Sequence, residues 1–421
     1  MKYKAGDKVK ISTVKEDIEG TALESSDPGI VLVKLKTGYN IGVKREDIHN
    51  IQVQRKEKKK ETEIKFKEKK DLPYVDIIIT GGTISSRVDY KTGAVKWVTK
   101  PEELFQFYPE IFDIVNVREI HVPFMKASEN MSSKDWKKIA EICEKSLNNK
   151  HITGVIITHG TDFLHYTSSA LSFFLRDLHK PVVLTYAQRS SDRASSDAAL
   201  NLKCAALAAR SNIAEVMIVG HENENDSCCL AMPGTKVRKM HTSKRDAFKV
   251  INAKPLARIF PDGKIDELSS YNPRANSGKV KLDSVFNDKI ALLKVFPGQD
   301  PEILDSFIHK YEGLVIEASG LGHVPMSEEA KHDFLPRIKK AIDNGIVVCM
   351  APQTLYGRLD PLVYSPGRNL VKAGVIFLED MLPECAFIKL GWVLAHTNWK
   401  HQIKEKMLEN FAKEVSDRLE E

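Results

Sequence analysis

Four largely apolar runs, Val75 to Ile79 (with Asp76 the one charged residue), Gly154 to Ile157, Val182 to Thr185 and Val216 to Val219, recur between residues 75 and 219. A strand without polar alternation has to be covered on both faces, and a mainly parallel sheet between two layers of helices is the fold that covers it. Helical stretches lie between the runs. One opens with Ser132 and Asp135 in capping positions, then sets Trp136, Ile139, Ala140, Cys143 and Leu147 on a single stripe. The alternation predicts an α/β domain. A polar stretch from Asp262 to Asp288 follows, and then the pattern resumes with Ile290 to Phe296, Leu314 to Glu317, Ile346 to Met350 and Val375 to Leu378. The chain therefore reads as two α/β lobes, 73–275 with the active site and 276–421. A long closing helix is expected from the helical spacing of Ile403, Leu408, Phe411, Val415 and Leu419, docked on the body or on another protomer.

At 421 residues the chain exceeds one ordinary core, and its beginning has a different character. Lys8 to Ile11, Ile30 to Leu35 and Tyr39 to Val43 read as short strands separated by Asp27-Pro28-Gly29 and Lys36-Thr37-Gly38, which predicts a small all-β barrel over 1–53. Such a module can touch nucleic acid or protein, or simply stabilise its neighbour. Residues 54–72 are nearly devoid of apolar side chains and read as a charged, solvated linker. Much of the net charge of +6 sits there, so a field over the whole surface is not part of the design. Six cysteines, far apart except for the adjacent Cys228 and Cys229, with no C-x-x-C spacing and matching histidines, predict reduced thiols and no zinc. No stretch reaches the length of a membrane span and no apolar segment follows the first charges, so a soluble cytoplasmic protein is expected.

Two threonine motifs carry the chemistry: Thr80-Gly81-Gly82-Thr83-Ile84 and Thr158-His159-Gly160-Thr161-Asp162, each closing a run of β-branched residues. At the end of a strand in an open α/β sheet, side chains project into the crevice where ligands bind, and glycine lets the backbone come close. Thr83 and Thr161 are candidate nucleophiles there. The N–H groups beside Gly82 and Gly160 are candidate oxyanion donors for hydrolysis of a side-chain amide. Asp162 either holds a cation or substrate amino group, or caps the helix that follows. Lys239, in Lys236-Val237-Arg238-Lys239-Met240-His241, either serves as a base after partial desolvation or belongs to a basic surface loop.

Together with Tyr90 ahead of Thr92-Gly93-Ala94-Val95, Ser128-Glu129-Asn130-Met131, Ser196-Asp197 with Asn201, and Gly320-Leu321-Gly322-His323-Val324-Pro325, these motifs resemble the type II L-asparaginase/glutaminase family over most of residues 73–421. The resemblance implies a two-lobed parallel-sheet fold in which Thr83 accepts the acyl group and Tyr90 closes over it on a mobile loop. It makes Thr161, Lys239 and Asp162 a second triad, and leaves open which threonine attacks first. Ser128 and Glu129 would bind the substrate's α-carboxylate and α-amino groups, Gly82 and Gly160 would line the site, and no metal is implied. Asparaginases often carry glutamine at the place of Glu129. The N-terminal module, the linker, Gln188 to Arg193, Gln353 to Arg358 and Glu379 to Glu384 are similar to the glutamine-hydrolysing D subunits of archaeal glutamyl-tRNA(Gln) amidotransferases. That branch implies glutamine as substrate and ammonia passed to a partner, the amidotransferase's E-type chain. The partner, using ATP and Mg2+, converts Glu-tRNA(Gln) to Gln-tRNA(Gln) in organisms lacking a glutaminyl-tRNA synthetase. The same branch implies a homodimer within a heterotetramer, tRNA(Gln) engaged through the complex, no membrane, and no cofactor on this chain, which carries no P-loop pattern. A free-standing L-asparaginase is the alternative.

Overall fold

The computed structural model describes residues 3–23, 25, 27–35, 40–55, 68–88, 95–97, 108–190, 196–275, 277–326 and 332–418. Residues 8–55 form a five-stranded antiparallel sheet in which Lys8–Thr13 lies between Asp17–Leu23 and Ile48–Arg55, with Ile30–Leu35 and Asn40–Lys44 beyond the former. Val9, Ile11, Ala22, Val31, Val33 and Val43 fill its core. Two of these strands, Asp17–Leu23 and Ile48–Arg55, are additional to the three expected. Asp17–Leu23 carries Gly20 in its middle, where a Cβ would lie 2.3 Å from the Lys34 carbonyl oxygen, so close strand approach dictates the glycine there.

The first lobe is built on an eight-stranded sheet. Val216–His221, Val182–Thr185, Ile152–Thr158, Tyr74–Ile79 and Asn116–His121 run parallel in that order, and Cys229–Pro233, Ala257–Ile259 and Ile265–Glu267 extend it antiparallel beyond Val216–His221. Alternate residues of each parallel strand enter different cores, as a period of two requires. Ile77, Ile156, Val183 and Met217 face the helix Ala198–Ala209. Ile78, Ile157, Leu184 and Ile218 face the helices Ser133–Leu147 and Leu164–Phe174. The first of these helices has the expected start, a capping box of Ser132 and Asp135.

The second lobe is a four-stranded parallel sheet, Ile290–Lys294, Gly313–Ala318, Val347–Pro352 and Ile376–Phe377. Its helix Pro383–Leu394 contributes Ile388, Leu390 and Trp392 to the same core as the first lobe's helices, so one hydrophobic core spans both sheets. Each fully buried side chain of this kind is worth about 1.5–3 kcal/mol. The lobes are thus joined by packing rather than tethered.

The expected long closing helix is not formed. Only Ile403–Leu408 is helical, and beyond it Phe411 stacks on Trp399 and meets Trp392 edge-on. The cause is Glu414, whose buried carboxylate accepts Lys389 Nζ at 2.6 Å and the N–H groups of Phe411 and Ala412 at 3.1 and 2.7 Å. Satisfying that carboxylate turns the chain back on itself, with Lys413 at φ 59°. Phe411 and Val415 still pack on the body, while Leu419 lies outside the described residues.

Candidate active site

Tyr74–Ile79 and Ile152–Thr158 are adjacent and in register through Ile79 and Thr158, so the two threonine motifs leave the sheet side by side at its carboxyl edge. Thr80 binds the crossing from both its N–H and its hydroxyl, each donating to the Thr158 carbonyl, at 3.1 and 2.9 Å. Glycine is required by geometry. Gly82 has φ 81°, and a Cβ there would lie 2.5 Å from the Cα and N of Gly160. Gly81, at φ 120°, would place one 2.4 Å from the Lys126 carbonyl oxygen. On Gly160 a Cβ would meet the Ser128 side chain at 3.1–3.2 Å. Three segments, 80–83, 126–129 and 158–162, therefore touch main chain to main chain, and the sequence motifs spell out that contact.

Lys239 ends the short strand Val237–Lys239, which pairs with Phe248–Val250. Its Nζ donates to Thr161 Oγ1 at 2.8 Å and to Asp162 Oδ1 at 2.7 Å. The lysine side chain is 10% exposed and Asp162 59%, so the pair reaches from protein interior to solvent. This arrangement excludes the surface loop for Lys239 and the helix cap for Asp162. Lys239 does not lie in a free surface loop, and Asp162 turns to the lysine instead of capping the helix Leu164–Phe174, whose N-cap position is Phe163 with no side-chain cap. Thr161 itself is buried. Thr83 opens a one-turn 3-10 helix, Thr83–Ser85, at the other side of the glycine contact. The residue is half-buried, and its hydroxyl has no hydrogen-bond partner among the described residues. Tyr90 lies outside the described residues.

Ser128 begins a second one-turn helix, Ser128–Asn130, and is buried. Its Oγ accepts the N–H of Phe163 at 3.2 Å, which fastens it to the residue after Asp162. Exposed Glu129 stands beside it. Both residues line a cavity of about 290 Å3 shared with Trp136, Phe163, Tyr166 and Phe387, the last from the second lobe. Thr83, Thr161, Asp162 and Lys239 are not among its lining residues.

His159 has no role that the sequence alone assigns, and the structure supplies one. Burial pushes its imidazole down to about 4, so it is neutral; Nδ1–H donates to the Gly160 carbonyl at 2.7 Å and Nε2 accepts from the Thr167 hydroxyl at 2.9 Å. The ring pins the carbonyl of the glycine that Gly82 touches. Its position between Thr158 and Gly160 is the one sequence signal that marks it. Asp197, from the Ser196-Asp197 motif, accepts the N–H groups of Gln188 and Arg189, and Asn201 donates to the Tyr186 carbonyl, so both shape the loop after Val182–Thr185. Gly320 and Gly322 form a tight turn in which Ser319 and His323 exchange backbone hydrogen bonds at the end of Gly313–Ala318. Among the described residues Asp76, Glu119 and His121 form one group able to hold a metal ion, but both donor nitrogens of the Arg118 fork already engage the buried Asp76. All six cysteines are buried and unpaired.

Residues 74–271 match the Asparaginase, N-terminal family, 289–407 the Glutaminase/Asparaginase C-terminal domain, and 3–53 the GatD N-terminal domain. The chain is 49% identical to the glutamyl-tRNA(Gln) amidotransferase D subunit of Pyrococcus furiosus, over 98% of this chain and 94% of that one. It is 42% identical to the D subunit of Methanothermobacter thermautotrophicus with the same coverage. Among solved structures it is similar to the thermostable L-asparaginase from Thermococcus kodakarensis (TM-score 0.73, 28% identity, 82% of this chain and 100% of that one). It is also similar to L-asparaginase I from Vibrio cholerae (TM-score 0.70, 28% identity, 82% and 99%).

Proposed function

The chain belongs to the family of glutamyl-tRNA(Gln) amidotransferase D subunits, and we propose that it is the glutaminase of such an amidotransferase, releasing ammonia from glutamine for use by a partner chain. The observation that carries this reading is Lys239 Nζ held between Thr161 Oγ1 and Asp162 Oδ1, beside the glycine contact that presents Thr83. In the proposed sequence the Thr83 hydroxyl adds to the amide carbon, and the N–H groups beside Gly82 and Gly160 stabilise the oxyanion. Ammonia leaves, and water cleaves the resulting ester to glutamate. The proton that Thr83 loses passes through the Thr161 hydroxyl toward Lys239 Nζ, which Asp162 holds in place, and is returned to the departing nitrogen. Ser128 and Glu129 hold the substrate's α-carboxylate and α-amino groups, and Tyr90 closes over the acyl group.

The partner is the amidotransferase's E-type chain, which uses ATP and Mg2+ to activate Glu-tRNA(Gln); this chain needs no cofactor of its own. We place it in the cytoplasm, as a homodimer within a heterotetramer that meets tRNA(Gln) as a complex. Among the described residues no helix is long and apolar enough to cross a membrane. The extra module at 3–53 supports a partnered role over a free-standing L-asparaginase, because the asparaginase structures are covered end to end by 82% of this chain.

The test is ammonia release from glutamine by the full chain, alone and with the E-type partner and Glu-tRNA(Gln). A slow basal rate that rises with the partner and charged tRNA is expected. A fast asparaginase rate indifferent to the partner would replace this reading with the free-standing enzyme. Trapping with an electrophilic glutamine analogue and locating the adduct by mass spectrometry assigns the attacking threonine: Thr83 is expected, and an adduct on Thr161 reverses the two roles.

A further inference from the structure

The strand that delivers Lys239 is fastened to the other lobe on its opposite face. Lys236 and Arg238, two residues apart, both point away from the Thr161 side and reach the segment 380–384 ahead of and within the helix Pro383–Leu394. Lys236 Nζ donates to Asp380 Oδ2 at 2.6 Å, with the side chains 1% and 0% exposed. Arg238 Nε pairs with Glu384 Oε1 at 2.9 Å, and Glu384 is 8% exposed. Asp380 is itself fixed, since its Oδ1 accepts the N–H of Ser416 at 3.0 Å, and the preceding Glu379 holds φ 58° and an ion pair with Arg358. His165, one turn beyond Asp162 on the helix Leu164–Phe174, brings Nε2 to 3.8 Å from the same Glu384 oxygen. Burial, with help from Arg238 and Lys239, holds its imidazole down to about 3, so the cluster is close to the catalytic lysine as well as to its strand.

We propose that Glu384 and Asp380, from the second lobe, are positioning residues for the amide hydrolysis, setting the strand that aims Lys239 at Thr161 and Asp162. The proposal rests on the reading above that Lys239 serves the reaction. It assigns a role to Glu379-Asp380-Met381-Leu382-Pro383-Glu384 and to Lys236 and Arg238, which the threonine site alone leaves without one. The physical reason is economy of reach: a three-residue strand cannot hold a flexible lysine to hydrogen-bond tolerance by its own ladder, whereas one buried and one partly buried charge pair at i and i+2 fix both its tilt and its translation.

The experiment measures kcat and KM for ammonia release from glutamine by the full chain, in the amidotransferase complex. Glu384→Gln is expected to lower kcat about 10- to 100-fold while KM stays within about threefold, because a displaced proton acceptor impairs chemistry rather than binding. Arg238→Glu and Glu384→Arg should each be impaired, and the double variant, which restores the pair with reversed charges, should recover at least about tenfold over either. Asp305→Asn, which breaks the Arg337–Asp305 pair within the second lobe, should leave kcat unchanged. If Glu384→Gln does not fold, Arg238→Lys, which keeps the charge but loses the fork, should show the same fall in kcat at steady KM. Folded Glu384→Gln or Arg238→Lys with wild-type kcat overturns the proposal. Lys239→Met keeps the two failures apart: if that variant releases ammonia normally, the catalytic reading is wrong, whereas an inactive Lys239→Met beside an unimpaired Glu384→Gln rejects positioning alone.

Discussion

Gly82 and Gly160 meet backbone to backbone, the Cβ position of the first lying 2.5 Å from the Cα of the second. Both threonine motifs are therefore one piece of structure, and a methyl group at either glycine tests it. Gly82→Ala meets two penalties, a left-handed φ of 81° and an overlap with main chain that has nowhere to move. Loss of stability of about 2–5 kcal/mol is expected, combining about 1–2 kcal/mol for the backbone with about 1–3 kcal/mol for overpacking. Gly160→Ala meets Ser128 at 3.1 Å, which a small shift relieves, so it should unfold later than Gly82→Ala and show its effect mainly as a raised KM. Urea unfolding midpoints and glutamine kinetics on both variants check the ranking.

Thr161→Val removes the oxygen that Lys239 Nζ approaches at 2.8 Å and keeps the branched shape of the side chain. The lysine retains Asp162, so the fold should lose only about 1 kcal/mol, the ordinary worth of one hydrogen bond. Ammonia release should fall by about 100-fold or more, in the range seen when proton transfer is lost. Thr161→Ser restores the hydroxyl and should stay within about tenfold of wild type. Equal activity in the valine and serine variants would remove Thr161 from the proton path.

How much of this site is legible in the sequence depends on how local each contact is. Continuous apolar runs locate the parallel strands, and because strand ends fix where loops emerge, Thr83, Thr161 and Asp162 fall together on sequence grounds alone. Lys239 stays ambiguous there, since its burial depends on Thr161, 78 residues away, and on the second lobe. Glu384 and Asp380 stand out as part of a motif but carry no role in the sequence, because their partners Arg238 and Lys236 are over 140 residues distant. The closing segment departs from expectation for the same reason. Helical spacing of Phe411 and Val415 is real, but one buried carboxylate at Glu414 outweighs it.

His159 should remain neutral well into the acid range. Its native imidazole is pushed down to about 4 by burial, below the ordinary value near 6.5 that it regains on unfolding. Between those values the unfolded chain binds a proton that the native chain refuses. Its contribution to stability is therefore complete above about pH 6.5 and shrinks as pH falls toward 4, with a slope of about 1.4 kcal/mol per pH unit. His165, held down to about 3, acts with the same sign and further into acid. Selective 15N labelling of histidine should show the His159 ring unprotonated at pH 5.5 with its proton on Nδ1, which donates to Gly160. A ring that titrates near pH 6.5 would mean that the Gly160 carbonyl is not pinned as described.

The Lys389–Glu414 pair makes the closing segment part of the core, and its removal should be felt there first. Both side chains are fully buried, and Lys389 Nζ also donates to the Glu409 carbonyl at 2.6 Å. Glu414→Ala leaves that ammonium buried with one acceptor and orphans the N–H groups of Phe411 and Ala412. A loss of about 3–5 kcal/mol is expected, as for one partner removed from a buried pair. The double variant Lys389→Met with Glu414→Gln removes the charge and keeps an acceptor for those N–H groups, so it should be closer to wild type than Glu414→Ala. Because Phe411 packs against Trp392 and Trp399, loosening should appear as a shift in tryptophan emission below the global urea transition. If Glu414→Ala unfolds in one step with wild-type emission before it, the segment is not held by this pair.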